Sequence, residues 1–247
     1  KAALESAAAL GFRKVEMPAV SGPVDPTELT GTGRRHLLHY VGGLGLQLAA
    51  LGGDLGGSRF ADSSQVEQRL KKLRNIVEMA ADLHVPVVTT HLGRVDEQIL
   101  QPGYLLEAID QLAALSDRTG TYIAFETGGA DPALLSQVLN QIGAGTLGVC
   151  YDPASLLIDG FEPLEGIAPL ANTIVIARAR DALAGSARQP GREVPLGSGQ
   201  IDFAGYLAAL DQAGYRSVPF VRRTDPEHPA EELADAKSYL TGSVPLA

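Results

Sequence analysis

The stretch "NTIVIARARD", residues 172–181, decides how the rest of the chain is read. Ile174, Val175 and Ile176 form a β-branched run with no polar alternation, the pattern of a strand covered on both faces. The run then stops in charge, at Arg178, Arg180 and Asp181. A buried strand that ends in this way is expected where parallel strands deliver side chains to a polar site.

The same shape recurs along the sequence. "RKVEMPAV" (13–20), "LQLAAL" (46–51), "VPVVTTHLG" (85–93), "TYIAFETG" (121–128), "TLGVCYDPA" (146–154) and "SVPFVRRTD" (217–225) are short apolar runs, most of them closed by a polar residue. Between them lie amphipathic helical patterns. "SSQVEQRLKKLRNIVEMAADL" places Ser63 or Ser64 as an N-cap ahead of Val66, Leu70, Leu73, Ile76 and Val77. "GYLLEAIDQLAALSDRTG" ends at Gly120, a C-cap residue, and "DPALLSQVLNQIG" opens with Asp131 as cap and Pro132 in the first turn. "DFAGYLAALDQAG" and "HPAEELADAKSYL" close the series.

Repeated strand-then-helix units imply a parallel α/β sheet with right-handed crossovers. The seven strand runs follow a helical segment, "KAALESAAALG", at the start of the chain. An eight-unit TIM (β/α)8 barrel with its first strand upstream of Lys1 accounts for both features. A doubly wound open sheet would need a glycine-rich phosphate loop after the first strand, and "RKVEMPAVSGP" offers none. No linker or shift in composition divides residues 1–247, so a single barrel domain is expected.

The formal net charge of -9 disfavours a sequence-independent nucleic-acid binder, which needs an excess of Lys and Arg. No apolar run approaches the ~20 residues of a membrane-spanning helix. The lone cysteine, Cys150, cannot close an intrachain disulfide, which fits a reducing, cytoplasmic setting, and it reads as an apolar core residue.

If chemistry sits at the C-terminal strand ends, the candidates are Glu16, His91, Glu126, Asp152, Arg178, Asp181, Arg222 and Arg223. For each of these the plain alternative is a solvated or hydrogen-bonded terminus. The loop "PLGSGQID" adds Gly197, Ser198 and Gly199, whose backbone amides could cradle a phosphate or carboxylate, or simply make a turn that needs glycine. "LGGDLGGS" (51–58) reads as a flexible rim and lacks the lysine of a nucleotide P-loop.

The motifs "ALGGDLGGS", "TTHLG", "AFETG", "YDPASL", "VPLGSGQIDF" and "AGYRS" resemble the xylose isomerase-like sugar isomerases and epimerases over nearly the whole chain. The resemblance implies a divalent metal, commonly Mn, Mg, Co or Zn, held by Glu, Asp, His and Glu. The two Glu would also serve as acid and base for proton transfer between adjacent sugar carbons. Glu126 matches the first ligand and Asp152 the second. Arg178 stands at the position of the His, three residues before Asp181, and Arg222 at that of the last Glu. Arg180 falls where relatives often carry Lys. His91 and Glu16 correspond to substrate-contacting or orienting positions.

An arginine offers donors and no lone pair, so it repels a cation instead of ligating it. Two carboxylates and two guanidiniums at these four positions sum to zero charge without an ion. The expectation is that Arg178 and Arg222 replace the metal by pairing with Glu126 and Asp152, with no cofactor required. The chain would then be a catalytically impaired relative or a binder of a small sugar or anionic ligand. The alternative is an active isomerase or epimerase using Glu126 as its base. Barrels of this kind often pair, which leaves a homodimer open. The endonuclease branch of the same superfamily needs a His-rich multi-metal site, and only one of five His residues lies at a strand end.

Overall fold

In a computed structural model of the chain, residues 1–56, 60, 62–143 and 145–243 are described. They form two compact units, one from Lys1–Glu126 with Gln137–Gly148, the other from Thr127–Ser136 with residues 149 onward.

The first unit opens with helix α1 (Ala2–Ala9), followed by β1 (Lys14–Pro18), α2 (Gly31–Gly43), β2 (Gln47–Gly52), α3 (Val66–Asp82), β3 (Val87–Thr90), α4 (Tyr104–Thr119) and β4 (Tyr122–Glu126). Successive strands pair in parallel, Lys14 opposite Gln47, Ala50 opposite Val87 and Thr89 opposite Ala124. All of β3 is buried, as continuous hydrophobicity requires, whereas β1 is only half-buried. Helix α3 turns Leu70, Leu73, Ile76 and Val77 inward at the helical period, and each is buried.

The N-cap of this helical segment differs from expectation. Asp62, not Ser63 or Ser64, accepts from the Ser64 amide at 3.0 Å and opens a 3-10 turn over Ser63–Gln65 that leads into α3. The Ser64 hydroxyl donates to the same carboxylate at 2.6 Å, so a charged acceptor holds the cap and the serine serves it. Gly120 ends α4 in the left-handed region at φ +69°, as its sequence position suggests. Helix α2 shows no clear pattern in the sequence because it is glycine-rich and buries only Val41.

Helix α5 (Pro132–Ile142) and strand β5 (Leu147–Tyr151) follow. Asp131 accepts from the Ala133 amide at 2.7 Å, the expected cap. The second unit continues with α6 (Pro153–Ile158), α7 (Ile167–Leu170), β6 (Ile174–Ala179), β7 (Asp181–Leu183), β8 (Arg192–Val194), α8 (Phe203–Gln212), β9 (Phe220–Val221) and α9 (Pro229–Ser243). Val149 lies opposite Ile174 and Arg178 opposite Phe220, both in parallel register. Strand β9 has two residues where the sequence suggests a longer run. Between β6 and α8 the chain inserts an antiparallel hairpin, β7–β8, that the sequence does not announce.

Aromatic rings fix the inner side of this unit. Tyr151 stacks on Tyr206 with centroids 6.1 Å apart, and Phe203 meets Tyr206 edge-on at 5.8 Å. The buried Tyr206 hydroxyl donates to the Arg178 carbonyl at 3.0 Å and so pins the end of β6. Cys150 is fully buried among the apolar residues of β5, as its sequence position suggests.

Candidate functional site

The end of β5 runs directly into α6 through Asp152, which is fully buried. Asp152 Oδ1 accepts from the amides of Ala154 and Ser155, each at 3.1 Å, as a helix cap with Pro153 in the first turn. Its own amide donates to Thr127 Oγ1 at 2.7 Å, and the Thr127 hydroxyl donates back to the Asp152 carbonyl at 3.2 Å. The remaining carboxylate oxygen, Oδ2, forms an ion pair with a terminal nitrogen of Arg180.

Arg180 is the hub of a wider charge network. Its guanidinium also reaches Ser155 Oγ at 3.2 Å, Glu193 at 3.0 Å and Thr224 Oγ1 at 3.1 Å. Glu193, on β8, meets Arg223 at 3.5 Å and accepts from the Thr224 amide. Arg223 in turn donates to Glu232 at 2.8 Å, and Glu232 accepts from the Glu227 and His228 amides just before α9. Asp152, Arg180, Glu193, Arg223 and Glu232 thus form a ladder of alternating charge. It ties the start of α6, the hairpin and the start of α9 together.

The electrostatics arise from burial and pairing. Burial pushes the Asp152 carboxyl up, but Arg180, the Ser155 amide and Arg178 overcome this and hold it below the usual carboxylate range. Glu193 behaves alike, with burial opposed by the Arg180 and Thr224 contacts, and it too titrates low. Arg180 is held more firmly protonated than usual: burial acts against its charge, and Asp152 and Glu193 outweigh that.

The direct ion-pair partner of Asp152 is an arginine that motif position passes over. Motif position offers Arg178 and Arg222 as partners for Glu126 and Asp152 together and leaves Arg180 a bystander. In the fold Arg180 holds the ion pair, and Arg178, also buried, contributes a smaller attraction. Both arginines therefore act on the same buried carboxylate, Arg180 by direct contact and Arg178 through a longer-range attraction. Arg222 lines a narrow cleft together with Arg180, Arg223, Asp181 and Glu232. Glu193 and Glu232 carry no sequence signal, because neither lies at the end of a recognisable strand run.

In the loop of residues 195–201, the glycine-requiring turn is the one of the two readings that the backbone follows. Asp181, buried, accepts from the amides of Gly197 (3.0 Å), Gly199 (2.9 Å), Ile201 (3.2 Å) and Ala182 (2.8 Å). The Ser198 amide turns to the Pro195 carbonyl. The amides expected to face an external anion are therefore occupied, and the anion that Gly197 and Gly199 cradle is the chain's own. Gly197 has φ +85°, which the turn alternative requires. Gly199 is needed for proximity instead, since a Cβ there would overlap the Asp181 carboxylate.

In the first unit, Glu126 is buried at the end of β4. His91, also buried, follows β3 and accepts the Gly93 amide on Nδ1 at 2.9 Å, which leaves its proton on Nε2. Glu16, half-buried on β1, accepts from the Thr89 hydroxyl at 2.7 Å. Asp54 in the glycine-rich loop accepts from the Gly56 amide at 3.0 Å, while Gly57 and Ser58, part of the expected rim, lie outside the described residues. Among the described residues, no three His, Cys, Asp or Glu side chains gather in a way that could hold a metal ion. No described helix is long and apolar enough to cross a membrane.

Comparison with known proteins places these features in a family. A xylose isomerase domain protein from Planctomyces limnophilus is 23% identical, with a TM-score of 0.87 over 97% of this chain and 90% of its own. A D-tagatose 3-epimerase-like protein superposes with a TM-score of 0.73 at 18% identity, over 94% of this chain and 88% of that one. A barrel protein from Mycobacterium smegmatis in complex with magnesium gives 0.76 at 14% identity, over 97% and 86%. No curated protein matches the chain. The family model described as "xylose isomerase-like TIM barrel" matches residues 4–241, and the chain belongs to that family.

Proposed function

We propose that this chain is a sugar isomerase/epimerase-like barrel protein in which an internal ion-pair ladder stands where relatives place a divalent metal. It acts as a binder of a small sugar or anionic ligand and lacks metal-assisted proton transfer. The observation that carries this reading is the state of Asp152. One of its oxygens is capped by two helix amides and the other is paired with Arg180.

A buried carboxylate can be compensated by a metal or by a guanidinium, and here the guanidinium supplies both the charge and the hydrogen bonds. Guanidiniums have no lone pair with which to complete a coordination sphere. The donors at the four family positions, Glu126, Asp152, Arg178 and Arg222, therefore do not fit a divalent ion. The magnesium seen in the Mycobacterium smegmatis protein marks what that relative binds.

Elemental analysis of purified protein after exposure to Mn, Co and Zn tests the reading. The expected result is far less than one equivalent of any metal per chain. A tightly held stoichiometric ion that is lost on Asp152→Ala would overturn it.

A second reading rests on Glu126, a buried carboxylate at the end of β4. It would act as a single base, with arginines stabilising the negative charge that develops on the sugar oxygens. Deuterium uptake from heavy water into D-fructose, abolished by Glu126→Gln, would favour this enzyme reading over the binder.

A further inference from the structure

The chain between β3 and α4 builds a cavity of about 270 Å³ within the first unit, from residues 94–106 alone. Its frame is fixed locally. The Asp96 carboxylate accepts from the Gln98 amide at 3.0 Å and opens the 3-10 turn Glu97–Leu100. The Leu100 carbonyl, at the end of that turn, accepts from the Gln141 carboxamide at 3.3 Å. On the other side, α4 is held in place through Ala108, Ile109 and Leu112, all buried. The cavity is thus formed in advance, and a ligand does not have to order it.

The lining combines two opposite charges with an apolar wall. Arg94 and Asp96 supply the charges, and both are exposed, so a ligand arriving from solvent meets them. The apolar wall includes Ile99, Leu105 and Leu106, of which Ile99 is buried. A guanidinium carries five N–H donors in a planar fork that matches a carboxylate, so Arg94 takes one up while keeping a contact of its own. A carboxylate offers about four lone-pair positions. The Gln98 amide uses one of those on Asp96, and an ammonium group can take another.

Simpler ligands answer only part of this lining. An anion meets Asp96 and a cation meets Arg94, and like charges at close range repel. A neutral polar ligand satisfies neither charge and leaves the apolar wall in water. A purely apolar ligand strips water from both charges and replaces none of it. The volume lies just under the about 300 Å³ at which pockets for drug-sized molecules begin, so one small molecule suits it.

We infer that this cavity is a binding site for a free α-amino acid with an apolar side chain. The ligand's carboxylate pairs with Arg94, its ammonium group with Asp96, and its side chain covers Ile99, Leu105 and Leu106. No residue of the ladder lines the cavity, so the site does not depend on what is proposed for Asp152 and Arg180.

Saturation-transfer NMR on the intact protein, with L-leucine as probe, tests the inference. Three relatives of leucine separate the contacts: glycine lacks the side chain, isocaproate the ammonium group and isoamylamine the carboxylate. L-Leucine should show transfer to its methyl protons, and all three relatives should bind more weakly. Arg94→Gln and Asp96→Asn should each weaken L-leucine binding about two- to fivefold, the fold-change of one exposed ion pair. Asp96→Asn keeps an oxygen for the Gln98 amide, and both positions are exposed, so circular dichroism and Tm should show both variants folded. If either variant unfolds, the ranking of the four ligands on the wild-type protein still decides the matter. Absence of transfer with L-leucine would overturn the inference. So would glycine or isocaproate binding as tightly as L-leucine, affinity unchanged in both variants, or displacement of L-leucine by D-xylose.

Discussion

Arg180 closes on the one carboxylate oxygen of Asp152 that the cap of helix α6 leaves open. The pair is buried, Asp152 fully and Arg180 to a side-chain exposure of 10%. Two charges taken out of water in this way tolerate each other well and tolerate the loss of a partner badly.

Removing the guanidinium is therefore the most direct perturbation. Arg180→Met, which keeps much of the side chain's apolar stem, should destabilise the fold by about 3–5 kcal/mol, the range for an orphaned buried charge. Adding Asp152→Asn to it should recover part of that loss, because the carboxamide brings no charge. Urea unfolding of the wild type, both single variants and the double variant measures the coupling. Strict additivity would show that Asp152 and Arg180 do not act as a pair.

Acid should act on the same contacts. Asp152 and Glu193 both titrate below their ordinary values in the folded chain. For a depressed carboxylate the stabilisation is complete above its unfolded pKa, about 4, and is lost as pH falls through the folded value. The urea midpoint should consequently show no loss from these groups at neutral pH and should fall steeply below about pH 4. In Arg180→Met that acid-limb slope should flatten, since neither carboxylate then keeps its main cationic partner. A wild-type midpoint that rises on acidification below about pH 4 would contradict the ladder.

The loop around Asp181 makes a separate demand on glycine. A methyl group at Gly199 would overlap the Asp181 carboxylate and the Ala182 carbonyl. At Gly197 it would sit 2.7 Å from the Tyr239 ring on a backbone with φ +85°. Either Gly→Ala change should cost about 2–4 kcal/mol, well above the average substitution. Gly42→Ala, on an exposed helical position with open space around it, should be neutral or slightly stabilising. Thermal unfolding of the three variants ranks them, and a Gly199→Ala protein as stable as Gly42→Ala would refute the nest around Asp181.

The contrast between what is legible in the sequence and what is hidden has a physical basis. The parallel strands can be read because burial on both faces leaves continuous runs such as Val87–Thr90 and Leu147–Tyr151. Gly120, Asp131 and the positive φ at Gly197 are also legible, since each depends on a local backbone requirement. The β7–β8 hairpin is hidden because strands of three residues carry no period. Asp181 stands out as a charge, but its partners include backbone amides 16 to 20 positions away, which residue type does not reveal. Position in a motif names Arg178 and Arg222, and the direct ion pair between Asp152 and Arg180 is not visible from it.

That distinction sharpens the test of the metal site. Changing Arg178→His and Arg222→Glu restores the residue types of the family quartet but leaves Arg180 on Asp152. The double variant should therefore bind Mn or Zn weakly. Adding Arg180→Ala frees the second oxygen of Asp152, removes a competing cation and should convert the site to about one metal per chain. Isothermal titration gives the stoichiometry, and a metal-dependent rise in Tm reports binding to the folded state alone. If the double variant already binds as tightly as the triple, Arg180 is no obstacle and the ladder does not stand in for the ion. If the triple variant folds and binds none, Glu126 and Asp152 are not the remaining half of a metal site.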